Sequence, residues 1–148
     1  MDLKQIDTVI PAGSVDCVVV NPPYKARNSG IMNEEDTLTI ARHEISCTLE
    51  DIIVKSSKIL KSGGNLYMIH RPERLVDIFY EMRRYQVEPK RIKMVYPAPH
   101  TVANLVLIEG VRSGRPFLKW EKPLYVYDSS GKYTDDIFQI YGKERGEK

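Results

Sequence analysis

Residues 16–24, "DCVVVNPPY", join a run of β-forming residues to an asparagine, two prolines and a tyrosine. The segment 16–20 is almost continuously apolar, which predicts a parallel strand covered on both faces. The chain then leaves that strand through a fixed corner. Pro22 and Pro23 have no N–H, and each holds the residue before it out of the helical region. The backbone stays extended there and its carbonyls are left free of local turn bonding. Asn21 adds a side-chain carbonyl and Tyr24 adds an aromatic face. Two convergent acceptors and a ring can grip a planar group that bears an NH2. The plainer alternative is a proline-rich turn in which Asn21 caps the backbone. In open α/β sheets ligands bind beyond the carboxyl ends of the strands, which favours the first reading.

The rest of the chain supplies the sheet that such a strand needs. Residues 25–36 are polar and read as a loop. From about Thr39 to Leu60, Ile45, Leu49, Ile52, Ile53, Ile59 and Leu60 recur at helical spacing, and Gly63-Gly64 offers a stop. "NLYMIH" (65–70) reads as a strand. Pro72 opens a second helix whose buried stripe is Leu75, Phe79 and Met82. "RIKMVYP" (91–97) and "NLVLIEGV" (104–111) read as two further strands, the second central. A connector, 112–123, leads to a short extended piece, a turn at Gly131 and a helix capped by Thr134. The order β-α-β-α-β-β predicts a mostly parallel sheet; the short link 98–103 between its last two strands makes one of them antiparallel.

Composition narrows the function classes less than the motif does. The 148 residues are 42% hydrophobic and 28% charged, values of an ordinary globular chain. No run is long and apolar enough to span a membrane. Cys17 and Cys47 have no C-x-x-C spacing and no cluster of histidines, so buried, reduced thiols of a cytoplasmic protein are expected and a metal site is not. The net charge is only +2, but residues 83–122 hold nine basic side chains against three acidic ones. That local excess fits a phosphate-bearing partner, although a solvated face would look the same.

The motif also carries a family likeness. "DCVVVNPPY" resembles the end of the fourth strand in class I S-adenosylmethionine-dependent methyltransferases that act on amino groups, either of nucleic-acid bases or of glutamine in release factors. "IARHEISCTLEDII", "SGGNLYMIHRPERL" and "YVYDSSGKYTDDIFQIYG" are similar to the group related to valine-tRNA adenine methyltransferases. The resemblance implies an α/β fold, the C-terminal half of a Rossmann-like class I methyltransferase sheet, mostly parallel with one antiparallel strand. It implies a partial catalytic domain at 1–112 and an appendage at 113–148 packed on it. It gives Asn21, Pro22, Pro23 and Tyr24 the catalytic corner, with Asn21 and the Pro22 carbonyl on the target amine and Tyr24 stacked on the base. Asp2 and Leu3, with Asn21, would face the cofactor; Arg42 and His43, beside Glu44, would shape the substrate pocket, and Arg71 would line the RNA side. The implied cofactor is S-adenosyl-L-methionine and the implied partner RNA, with adenine N6 in tRNA as the first target. The alternatives are a glutamine N-methyltransferase and a truncated, inactive RNA-binding remnant.

Two departures from the family qualify these expectations. The nine glycines form no G-x-G pattern, and no acidic residue follows a second strand to hold ribose hydroxyls. The chain therefore reads as lacking the strands that build most of the cofactor pocket, so weak or absent cofactor binding is expected of it alone. Strand 16–20 should then present an open edge, prone to self-association or to pairing with a partner chain.

Overall fold

The structure, a computed structural model, describes residues 5–22 and 47–142. A short helix α1 (Ile6–Val9) precedes β1 (Val15–Val20). Beyond the undescribed stretch come α2 (Leu49–Ile59), β2 (Leu60–His70), a 3-10 turn (Pro72–Arg74) and α3 (Leu75–Arg84). β3 (Val87–Tyr96), β4 (Leu105–Arg112), β5 (Lys119–Trp120), β6 (Leu124–Tyr125) and α4 (Asp135–Ile140) complete the order. The six strands form one sheet in the order β1-β2-β4-β3-β5, with β6 also on β3. β4 is antiparallel to both β2 and β3, while β1–β2, β3–β5 and β3–β6 are parallel. The sheet is thus mostly parallel with one antiparallel strand, as the order of elements predicts. The link 97–104 is too short for a crossover, so β4 turns back beside β3.

α2 and α3 cover one face. Ile52, Ile53, Ile78 and Met82 from the helices pack with Leu66, Met68, Ile92, Val106 and Ile108 from the strands. Gly110 lets α3 lie this close: a Cβ there would meet Met82 Cε at 2.2 Å and Val87 Cγ1 at 2.7 Å. A smaller cluster of Val95, Leu124 and Ile137 ties β6 and α4 to the end of β3. Asp7 accepts a 2.6 Å hydrogen bond from Lys55, which joins α1 to α2 and holds the Asp7 carboxyl below the usual range.

Several expectations are corrected. β1 is covered on one face only among the described residues: Val19 is 74% exposed, and Cys17 is exposed rather than buried. Cys47 is half-buried. A helix running unbroken from 39 to 60 is not present, because Thr48 is extended and caps α2. Its hydroxyl accepts from the Asp51 N–H, and the Asp51 carboxylate accepts from the Thr48 N–H. The helix ends at Ile59, before the glycine pair; Gly63 and Gly64 lie inside the bulged start of β2. Pro72 opens a 3-10 turn, and the stripe of α3 is buried at Ile78 and Met82, with Leu75 and Phe79 half-buried. β5 interrupts the expected connector because Lys119 and Trp120 pair with Arg91 and Ile92. Thr134 sits at the N-cap of α4, but its hydroxyl donates to the Tyr125 carbonyl at 2.5 Å instead of capping.

Candidate active site

In a parallel pair the two carboxyl ends share one rim. Val20 pairs with Met68, so β1 ends at Asn21 just as β2 reaches His70 and Arg71. Asn21 is exposed and Pro22 is buried. The proline thereby seats the corner in the protein while the amide side chain stands at the surface. Arg71 is exposed and extended, at the start of the 3-10 turn. Asn21, Pro22 and Arg71 are therefore brought to one edge of the molecule. Pro23, Tyr24, Arg42, His43 and Glu44, as well as Asp2 and Leu3, lie outside the described residues.

Sequence reasoning passed over His70. It is the last residue of β2, is 1% exposed, and accepts the Arg71 backbone N–H at Nδ1 over 2.8 Å. That bond leaves the ring proton on Nε2. Burial lowers its pKa below the ordinary histidine value, and the Arg74 charge lowers it further. A neutral, buried imidazole thus stands next to Arg71 at the rim. A polar residue closing an apolar strand was the available signal.

Below the rim, on the face away from α2 and α3, lies a cavity of about 430 Å³ floored by Val19, Tyr67, Ile69 and Leu107. Glu109 at its margin accepts from Asn65 Nδ2 at 3.0 Å and from the Tyr67 hydroxyl at 3.1 Å, and it pairs with Arg91. Glu121 is shared between Arg91 and Lys119. These acids are already engaged, and no described glycine follows β1 or β2 at the rim. The described residues therefore do not by themselves form a nucleotide-cofactor cradle. Among them, no group of three His, Cys, Asp or Glu side chains could hold a metal ion, and no helix is long and apolar enough to cross a membrane.

No protein-family model matches the chain. A tRNA1(Val) (adenine(37)-N6)-methyltransferase, found in two strains of Porphyromonas gingivalis, is 29% identical over 106 residues, 72% of this chain. The chain spans 41% of the length of these relatives. Among solved structures, a predicted O-methyltransferase from Agrobacterium tumefaciens superposes with a TM-score of 0.71 at 22% identity, covering 93% of this chain and 56% of that one. A candidate DNA modification methylase from Thermus thermophilus, solved in complex with S-adenosyl-L-methionine, gives 0.52 at 17% identity over 78% of this chain and 55% of that one. The chain has the fold of the class I methyltransferases, and its sequence resembles the valine-tRNA adenine-N6 methyltransferases among them.

Proposed function

We propose that this chain carries the amine-binding part of an S-adenosyl-L-methionine-dependent N-methyltransferase acting on an exocyclic amine of a nucleic-acid base, with adenine N6 in tRNA as the target. The observation that carries this reading is the corner itself. Asn21 stands exposed over a buried Pro22 at the carboxyl end of a parallel strand, in a sheet of methyltransferase topology. The sequence similarity to tRNA adenine-N6 methyltransferases supports the choice of base, and the basic excess at 83–122 supports RNA over a release-factor glutamine.

In this mechanism the Asn21 side-chain oxygen and the Pro22 carbonyl accept the two hydrogens of the target NH2. That pairing turns the nitrogen lone pair out of the plane of the base. Positioning and fixed dipoles then carry the reaction without a strong general base. When bound, S-adenosyl-L-methionine supplies an activated methyl group. Pro23 stiffens the corner, Tyr24 stacks on the base, and Arg42, His43 and Arg71 shape the substrate side. Asp2 and Leu3, with Asn21, would contact the cofactor's adenine. We assign these roles to a partial catalytic domain, 1–112, with 113–148 as an appendage on it. Because the described residues form no nucleotide-cofactor cradle of their own, calorimetry should find weak or no S-adenosyl-L-methionine binding by the chain alone. We further assign the open edge of β1 to self-association or to a partner chain.

A chimera tests the chemistry. The matched 106 residues of the Porphyromonas gingivalis relative are replaced by those of this chain, and products are read by mass spectrometry. Unmodified tRNA should gain N6-methyladenine, and the Asn21→Ala chimera should be slower by roughly two to three orders of magnitude. A chimera that binds the cofactor yet methylates only release-factor glutamine, or nothing, contradicts the proposal.

A further inference from the structure

After β4 the chain climbs the far edge of the sheet as a strap, 113–123, that the transfer chemistry does not use. Its side chains are unusual for an edge. Phe117 is 89% exposed and Trp120 63% exposed, interleaved with exposed Arg115, Lys119 and Lys122. The strap is pinned rather than loose. The Lys90 ammonium donates to the carbonyls of Arg115 at 2.9 Å and Pro116 at 3.2 Å. β5 pairs with β3, and the Glu121 N–H donates to the Ile92 carbonyl at 2.9 Å. Phe117 is held at a φ of 96°, a conformation that a bulky side chain adopts only when its surroundings impose it. The one acid of the strap, Glu121, is shared between Arg91 and Lys119, whereas among the described residues no ion pair engages Arg115 or Lys122.

A preordered edge segment that offers both cations and aromatic faces is the chemistry that takes up a single-stranded nucleic acid: cations follow the phosphates, and rings stack on the bases. A second copy of the chain fits this edge poorly. β5 is two residues long, lies between Pro116 and Pro123, and carries positive charge, all of which oppose strand addition. We infer that the strap 113–123 is a contact surface for single-stranded RNA, with Phe117 and Trp120 as base-stacking platforms and Arg115, Lys119 and Lys122 on the phosphates. The inference rests on the nucleic-acid reading above and gives it a location.

Trp120 is the only tryptophan of the chain, so its fluorescence reports on the strap directly. The full chain is titrated with a single-stranded oligouridine RNA over a range of salt, alongside an independent gel shift. Trp120 emission should be quenched saturably. Phe117→Ala should bind about tenfold more weakly with an unchanged salt slope. Joint replacement of Arg115, Lys119 and Lys122 by alanine should reduce the slope of log K against log salt by about 2. Thermal melts of the variants should match the parent, since the four replaced side chains are exposed. Binding that leaves Trp120 emission and the Phe117→Ala affinity unchanged overturns this inference while leaving the RNA reading intact. Emission that changes with protein concentration alone marks a contact between copies and also overturns it. Failure of the parent chain to bind RNA in any salt overturns both.

Discussion

Asn21 and Pro22 divide the corner between them: Pro22 is buried and Asn21 exposed, and in the proposed mechanism the first fixes the backbone and the second offers the acceptor. The extended exit of the chain was legible because a proline fixes its own φ and biases the residue before it toward extended backbone. His70 was not legible, since its burial depends on the two helices that cover Met68 and Leu66 beside it. It has a consequence for stability. Its pKa is lowered in the fold, chiefly by burial, from the ordinary value of 6.5. As pH falls below that value the unfolded chain takes up the proton first, so stability declines through this window and is full above it. Urea midpoints of the parent should fall from about pH 7 to about pH 5, and His70→Asn should flatten that part of the profile. A slope unchanged in the variant would assign the window to another group.

Elements were read with uneven success, for physical reasons. β1 and β4 were recognisable from their apolar runs, β2 as a short strand-forming segment, and α3 from its period. The start of α2 was misjudged because hydrophobic spacing continued upstream of Thr48, while the capping box that sets the boundary is a local hydrogen-bond device. β5 escaped because two residues carry no period. Two substitutions test the account of these elements. Thr48→Ala should lower stability by about 1 kcal/mol in a chemical melt through loss of the cap. Gly110→Ala should cost about 1–3 kcal/mol, because its methyl group would overlap Met82 and Val87 under α3. A neutral Gly110→Ala would mean that α3 can withdraw from the sheet at little cost.

For the molecule as a whole, one face of the sheet is packed by α2 and α3, while the other leaves Val19 74% exposed over a cavity of about 430 Å³. The composition of β1 anticipated a strand covered on both sides, and only half of that cover lies within the described residues. The proposed association runs through the edge of β1, which ends the strand order among the described residues and carries the exposed Val19. Light scattering should show concentration-dependent association, which Val19→Lys should weaken at least about tenfold by placing a charge on the apolar face. A monomer at every accessible concentration would argue against it. The central claim concerns what the rim of this sheet holds, and nuclear magnetic resonance of the full chain tests it most directly. The Asn21 side-chain amide and the backbone amides of Ile69 to Arg71 are followed as an adenosine-containing RNA oligonucleotide is added, then the same oligonucleotide with purine riboside in place of the adenosine. The account predicts shifts at those groups with adenosine and their loss when the exocyclic amine is absent. Equal shifts with both oligonucleotides, or binding that leaves Asn21 unmoved, would contradict it.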